Sequence, residues 1–310
     1  MGALLALASA VCYGIADVTG GLLSRRAHFA LVALAGQGGG LVLTLLAAPV
    51  FSAARPVLSL ALSPDTAWGA LSGVGTGVGM VHLYRGVSRG AMSVVVPVSA
   101  VTGVTLPVVA GVVLLGDRPS APAWLGILVA VPALWLVSLE RSRPGAPVLT
   151  GASLDGLIAG AGIALQYLAL AQARPSAGIW PVAVGRVTAL AVIAAIAVPL
   201  LAARRRRAPL RRPPRTPAGA SQGASAEAPA LLPPRYAAGS AVTGMIAALA
   251  LVLYLLAARE QLVVIAVVLS SLYPAVPVVL GLTALGERPT RLQAAGLCAA
   301  AAATALITAG

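Results

Sequence analysis

The pentapeptide GDRPS at residues 116–120 returns as GERPT at residues 286–290. Shifting the chain by 170 positions without gaps aligns residues 84–119 with residues 254–289 and gives 12 identities in 36 positions. Chance explains shared Val and Leu in so apolar a chain, but not matched Tyr, Arg, Gly and Pro. The informative matches join Tyr84 to Tyr254, Arg89 to Arg259, Pro107 to Pro277, Gly111 to Gly281 and Gly116 to Gly286. The sequence therefore consists of two related halves.

The composition is that of an integral membrane protein. Hydrophobic residues make up 59% of the chain, charged residues only 9%, and the mean hydropathy is +0.96. A soluble domain cannot bury so large an apolar fraction. A bilayer core of about 30 Å is crossed by a helix of roughly 20 apolar residues, and the chain contains many such stretches.

Charges, prolines and loop residues divide the chain into ten predicted transmembrane helices. Residues 1–148 form a first five-helix repeat and residues 149–310 a second one. Because five is odd, the second repeat must enter the membrane from the opposite side, which gives an inverted repeat. Inverted repeats are typical of secondary transporters, with the substrate site near the membrane midplane. The predicted helices are 3–23, 29–49, 66–86, 92–115, 120–139, 154–173, 178–200, 236–257, 261–285 and 290–309.

The basic residues are concentrated in one predicted loop. All 21 are Arg, and eight of them lie between residues 204 and 235. Residues 201–235 are rich in Arg, Pro, Ala and Ser without apolar periodicity, which predicts a flexible loop that faces anionic lipid and not nucleic acid. Sixteen arginines follow odd-numbered helices and four follow even-numbered ones, so the positive-inside rule places both termini outside the cytoplasm.

Two stretches carry a resemblance to a known family. They are YRGVSRGAMSVVVPVSAVTGVTLPVVAGVVLLGDRPSAPAWLGILV at 84–129 and YLLAAREQLVVIAVVLSSLYPAVPVVLGLTALGERPTRLQAAGLCA at 254–299. Each has a Tyr, a short basic turn, a Pro-containing helix, a Gly-acid-Arg-Pro hairpin and a Gly-bearing last helix. This order resembles the ten-helix EamA-type members of the drug/metabolite transporter superfamily. The resemblance implies a cell-membrane carrier of amino acids, other metabolites, drugs, sugars or nucleotide-sugars, and it implies termini inside the cell.

Asp17 is the one acid well inside a predicted apolar helix. An ionisable group at membrane depth costs around 3 kcal/mol and is therefore a functional candidate. Ser9, Tyr13 and Asp17 recur every four residues and share one helix face. A carboxylate there can bind a proton and a cationic amine in alternation. The alternative is that Asp17 is hydrated at the interface beside Arg25 or Arg26.

Arg186 is the only Arg within a predicted spanning segment. A guanidinium there can bind a substrate carboxylate through two hydrogen bonds or neutralise Asp17. Gln37 occupies nearly the corresponding place in the first repeat. Four further polar residues are candidates for cavity lining or, alternatively, for hydrogen bonds between helices: Gln166, Tyr167, Ser270 and Tyr273.

The prolines and the repeated hairpin have structural explanations. Proline inside a helix frees backbone carbonyls and permits bending. In the hairpins, the charged pair keeps the turn in water and the proline ends one helix and can begin the next. The helix-bend candidates are Pro97, Pro107, Pro274 and Pro277, and the hairpin residues are Asp117 and Arg118 with Glu287 and Arg288.

The function predicted from the sequence is secondary export of a small metabolite, such as an amino acid or a related amine or drug, with proton coupling through Asp17. A sugar or nucleotide-sugar carrier of the same fold is the alternative, and a polytopic membrane enzyme is disfavoured because acids and His are scattered. The chain lacks Lys and a GxxxxGK[ST] motif, so no nucleotide, other cofactor or metal is expected. Two fused repeats remove the need to dimerise, so a monomer is expected.

Overall fold

The computed structural model describes residues 1–51, 63–88, 92–138, 150–207, 232–276, 279 and 290–309, and within these ranges the chain is all helical. It contains ten α-helices and a short 3₁₀ turn at Pro175–Ala177. The helices are α1 (Gly2–Arg26), α2 (Phe29–Phe51), α3 (Pro64–Ser88), α4 (Met92–Leu114), α5 (Ala121–Ser138), α6 (Thr150–Ala171), α7 (Trp180–Arg207), α8 (Pro234–Glu260), α9 (Val263–Ser270) and α10 (Arg291–Ala309).

Among the described residues, five segments are long and apolar enough to cross a membrane. They lie in α1, α2, α6, α7 and α8. Shorter apolar segments of α4, α5 and α10 also occur. α3 has 25 residues but is rich in Gly, Ser and Thr, which lowers its hydropathy. The membrane character predicted from composition is thus supported by five described helices that are long and apolar enough to span a bilayer.

The helices of the two repeats are interleaved in one bundle. α1 packs on α8, and α3 packs on α6; α2 packs on α8, and α3 packs on α7. α2 also packs on α7, and α5 packs on α10. Replacing each helix by the one five places along the chain turns α1/α8 into α3/α6 and α2/α8 into α3/α7. The same replacement leaves the pairs α2/α7 and α5/α10 unchanged. These six pairs therefore correspond between the two halves of the sequence, whereas α4 packs more extensively on α6 than the short α9 does on α1.

Glycine brings three of these helix pairs into backbone contact. A Cβ added to Gly75 of α3 would lie 2.5 Å from the carbonyl oxygen of Gly162 in α6. One added to Gly73 would lie 2.3 Å from the carbonyl oxygen of Gly185 in α7. Gly39 of α2 is equally close to α8. Small residues at such spacing let membrane helices approach closely.

The structure corrects two predicted boundaries. The helix predicted at 261–285 is interrupted after Ser270 by turns through Pro274, which cannot donate the next helical hydrogen bond, and helix resumes at residues 275–276. The loop predicted at 201–235 is shorter at both ends, because α7 continues through Arg207 and α8 begins at Pro234. Apolar residues preceding the four arginines allow α7 to extend beyond the membrane core. The rest of the predicted loop lies outside the described residues.

The first hairpin differs from its predicted role. Gly116 has a φ of 74°, which favours glycine, and the hydroxyl of Ser120 caps α5 by accepting a hydrogen bond from the backbone N–H of Ala123 at 3.2 Å. Pro119 therefore lies before the helix and not in its first turn. Asp117 is half-buried, and its Oδ2 accepts a hydrogen bond from the backbone N–H of Val264 at 2.9 Å. Asp117 thus caps α9 of the other repeat, while Glu287 and Arg288 lie outside the described residues.

Candidate functional site

A cavity lies between α1, α2, α3, α6, α7 and α8. It measures about 60 Å³ as the space open to the centre of a water molecule, enough for a solute of a few heavy atoms. The walls are mainly aliphatic and aromatic, with a few polar groups that converge on the space. Its lining includes Tyr13, Asp17, Gly75, Thr76, Gly79, Met80, Tyr84, Gln166, Tyr167, Arg186, Ser240, Thr243, Ala247 and Tyr273.

One end of the bundle carries Arg25, Arg26, Arg85 and Arg235 and is called the Arg-rich end. Part of the cavity lining lies near this end. Tyr84 precedes Arg85 near the end of α3, and Ser240 lies near the start of α8. At its other end the cavity is closed by aromatic packing. The rings of Tyr13 and Tyr167 meet edge to face at 6.1 Å, and Tyr254 packs behind them with its hydroxyl donating to the Tyr167 carbonyl oxygen at 2.9 Å. The site is therefore a pocket with one closed end.

Asp17 lines the cavity and is half-buried. Its carboxylate accepts no hydrogen bond from the part of the chain that the structure describes. Within that part, no ion pair joins it to Arg186 or to Arg25 or Arg26. An apolar bundle holding a carboxylate without a partner offers a place for a proton or a cation.

Arg186 lies on another wall of the same cavity and is 2% exposed. Its Nη1 donates to Gln37 Oε1 at 3.0 Å, and its Nη2 donates to the Ala247 carbonyl oxygen at 3.0 Å. Its Nε is buried and has no hydrogen-bond partner among the described residues. Gln37 is itself held by a contact of Nε2 with the sulfur of Met80 at 3.2 Å. The guanidinium is thus fixed in place beside the cavity, with its Nε unpaired in the part of the chain that the structure describes.

A short chain of hydrogen bonds crosses the cavity wall between α1, α3 and α6. Thr76 Oγ1 donates to Gln166 Oε1 at 2.6 Å, and Gln166 Nε2 donates to the Tyr13 hydroxyl at 2.8 Å. The side chains of both repeats therefore orient one another around the cavity. Tyr273 follows the end of α9 and lines the cavity beside Tyr13, with the ring centroids 6.4 Å apart.

Most of the predicted site residues meet in this cavity, but three do not line it. Ser9 donates to the Ala250 carbonyl oxygen at 2.7 Å and so joins α1 to α8. Gln37 lies behind Arg186. Ser270 is fully buried at the end of α9, and its hydroxyl has no partner among the described residues.

The helix-bend candidates have different surroundings. α4 runs through Pro97 and Pro107 without interruption. Pro274 is buried in the turn that follows α9. Pro277 lies outside the described residues.

Several cavity residues were not singled out from the sequence. Thr76, Tyr84, Ser240 and Thr243 are all in the lining. The available signal was their spacing, because Thr76 lies within the glycine row of α3, and Ser240 and Thr243 lie within one turn of each other on α8. Hydroxyl residues are too common in membrane helices for that spacing to identify a cavity without tertiary contacts.

Two buried acids were also missed. Asp155 is 1% exposed and bonds to Arg85 Nε at 3.1 Å, and Asp65 is 3% exposed and bonds to Arg174 Nη2 at 2.9 Å. Pairing with Asp65 raises the pKa of the Arg174 guanidinium, which lies in the loop after α6. Both acids lie near the starts of helices, where the sequence indicates exposure to water. Asp17 is therefore not the only acid held inside the bundle.

Comparison with known proteins identifies the fold without naming a function. No protein-family model and no curated protein matches the sequence. Fifteen chains of solved structure are similar in fold. One of them, described only as the crystal structure of a protein, covers 99% of this chain and 96% of its own length, with a TM-score of 0.60 and 16% sequence identity. The whole helical arrangement thus occurs in a solved structure.

Proposed function

We propose that the protein is a secondary transporter of the cell membrane that exports a small amino acid or a related amine. The observation that carries the proposal is the cavity, which is lined by a carboxylate on α1 that lacks a partner among the described residues and by a guanidinium on α7. An ammonium group would bind at Asp17 and a carboxylate at Arg186. The small volume of the cavity favours a solute of few heavy atoms.

Alternating access follows from the same architecture. Ten transmembrane helices in two inverted repeats would make the two ends of the cavity equivalent by pseudosymmetry, so either end is able to open. The correspondence of α1/α8 with α3/α6 and of α2/α8 with α3/α7 supports this arrangement. The resemblance of residues 84–129 and 254–299 to EamA-type drug/metabolite transporters supports it independently.

Proton coupling would operate through Asp17. The carboxylate binds either a proton or the ammonium group of the solute, because both occupy the same oxygens. Exchange of one for the other drives export as the cavity changes sides. No nucleotide is needed in such a cycle, since the proton gradient supplies the free energy.

The test uses purified protein in liposomes that contain a pH-sensitive dye. Pools of amino acids, amines and sugars are added in turn to wild type, Asp17→Asn and Glu260→Gln. Glu260 is an exposed acid at the end of α8, so its variant controls for loss of a negative charge. A proton flux that depends on amino acids or amines, lost in Asp17→Asn and kept in Glu260→Gln, is expected. Flux with the sugar pool alone, or no flux and no uptake with any pool, would overturn the proposal.

A further inference from the structure

The two pseudo-equivalent helix pairs that join the repeats are held by different chemistry. In the pair α3/α6, α3 comes from residues 1–148 and α6 from residues 149–310. The pair α1/α8 is its counterpart under exchange of the repeats. If both repeats carry out alternating access, the strength of these two interfaces decides which of them separates.

An ion-pair cluster joins α3 to α6 at the Arg-rich end. Asp155 of α6 receives hydrogen bonds from Arg85 Nε at 3.1 Å and from Arg85 Nη2, and His82 Nδ1 lies 3.0 Å from Asp155 Oδ1. The Asp155 side chain is 2% exposed and that of Arg85 is 31% exposed. Separating the helices here would leave a carboxylate without its partner in a poorly hydrated place.

A second cluster joins α3 to the loop after α6 at the opposite end. Asp65 accepts hydrogen bonds from Arg174 Nη2 and from the backbone N–H of Arg174, both at 2.9 Å. Arg259 of α8 donates to the carbonyl oxygens of Arg174 at 3.2 Å and Gly178 at 2.7 Å. Asp65 and Arg85 are 20 residues apart on one helix, so the two clusters are separated by about 30 Å.

Between these clusters α3 and α6 are in backbone contact. Ser72 Oγ donates to the Gln166 carbonyl oxygen at 3.0 Å. A Cβ added to Gly162 would lie 2.6 Å from the Gly75 carbonyl oxygen and 2.7 Å from the Gly79 nitrogen. The interface is thus closed along its whole length and paired by charge at both ends.

The α1/α8 interface has no such clusters. Its interhelical hydrogen bonds are neutral: Ser9 Oγ to the Ala250 carbonyl oxygen at 2.7 Å, and Thr243 Oγ1 to Thr19 Oγ1 at 3.0 Å. No ion pair joins the described residues of α1 to those of α8.

We infer that α3 and α6 stay together while access to the cavity opens at the α1/α8 interface, the weaker of these two related interfaces. Neutral hydrogen bonds between membrane helices contribute little, so this interface separates with the smaller loss. The inference rests on the proposed transport function. It differs from a movement of two five-helix halves as separate rigid bodies, because each half contributes one helix to the α3/α6 unit.

The test measures distances between nitroxide labels by double electron–electron resonance in lipid nanodiscs. Labels are attached to cysteines at the exposed positions Ser88 and Leu154 for α3/α6 and Leu22 and Val242 for α1/α8. The background carries Cys12→Ala and Cys298→Ala. Spectra are recorded with and without pooled amino acids and amines. A narrow, unchanged distribution is expected for α3/α6, and a second population several ångströms away is expected for α1/α8.

The control variant Arg85→Gln/Asp155→Asn removes the charges at one end and is expected to broaden the Ser88–Leu154 distribution. A Ser88–Leu154 distance that shifts in the unaltered protein as much as the Leu22–Val242 distance overturns the inference. A single, static Leu22–Val242 distance overturns it as well, and so does a control variant whose distribution stays narrow. The distances do not depend on a flux assay, so movement of α3 away from α6 would refute this inference and leave the proposed transport in place.

Discussion

The α3/α6 and α1/α8 interfaces hold equivalent places in the two repeats and are built from different residues. The first has a buried acid paired with Arg near each end and glycine backbones in contact between them. The second has two neutral hydroxyl bonds, and across it Gly20 and Gly239 face the side chains of Thr243 and Leu23 and not the backbone. The two halves of the sequence therefore contribute corresponding helix pairs without the same strength of attachment. Pseudosymmetry of a fold does not imply symmetry of its energetics.

The largest effect is expected from removing the buried acid of the α3/α6 interface. Asp155→Ala leaves Arg85 and His82 without their shared carboxylate. The free energy of unfolding should fall by about 3 kcal/mol, as when one partner of a buried pair is lost. Titration with SDS in mixed micelles measures it. The double variant Arg85→Ala/Asp155→Ala should recover part of the loss, and an equal or greater loss would contradict the pairing.

A smaller loss is expected when a methyl group is added where the backbones touch. Gly162→Ala places a Cβ 2.6 Å from the Gly75 carbonyl oxygen, which should cost about 1–3 kcal/mol of unfolding free energy. The matched variant in the other interface is Gly239→Ala, whose Cβ would lie 3.6 Å from Leu23 Cδ1. It should leave stability unchanged or raise it by about 0.5–1 kcal/mol through helix propensity. Thermal unfolding in detergent compares the two, and equal losses would contradict the difference between the interfaces.

The cap made by the first hairpin should contribute less. Asp117→Ala removes the acceptor for the Val264 backbone N–H at the start of α9, and helix caps contribute about 1 kcal/mol. Arg118→Ala changes the exposed neighbour and should have no effect on stability. Hydrogen exchange at the start of α9 should accelerate only in Asp117→Ala. Identical exchange in the two variants would show that the cap is not needed.

The smallest effect is expected at the α1/α8 interface. Thr243→Val removes the hydroxyl that donates to Thr19, and such bonds between membrane helices average about 0.6 kcal/mol. Thr304→Val is the control, because its hydroxyl bonds only to Ala300 within α10. In an SDS titration, the free energy of unfolding of Thr243→Val should be slightly lower than that of Thr304→Val. A loss as large as that of Asp155→Ala would remove the distinction between the two interfaces.

The sequence predicted the helices better than their ends. Apolar stretches between charges and prolines indicated ten helices, and ten are found among the described residues. The break after Ser270 was missed because an apolar run looks continuous even where Pro274 removes a backbone donor. The extension of α7 through Arg207 was missed because Arg residues outside the membrane core can continue a helix as readily as they can begin a loop.

The sequence predicted only part of the candidate site, because it shows where the charges lie along the chain but not which tertiary contacts bury them. Asp17 and Arg186 stood out because charges are costly within apolar segments, and both line the cavity. Asp65 and Asp155 did not stand out, because an acid near a helix start is normally hydrated. Their burial depends on Arg174 and Arg85, which are 109 and 70 residues away along the chain.

By itself, the sequence determined the helical and apolar character of the chain, the internal similarity of residues 84–119 to residues 254–289 and the charges that had to find a polar environment. These features follow from apolar content, internal similarity and the cost of burying ions, which are local properties. Only the tertiary structure decided that Gln37 holds Arg186 and that, among the described residues, Asp17 has no partner and charge pairs join α3 to α6 but not α1 to α8. A polar group pairs with a side chain that lies close to it in space across a helix interface. The separation of two remote residues along the sequence does not say how far apart they lie in the folded protein.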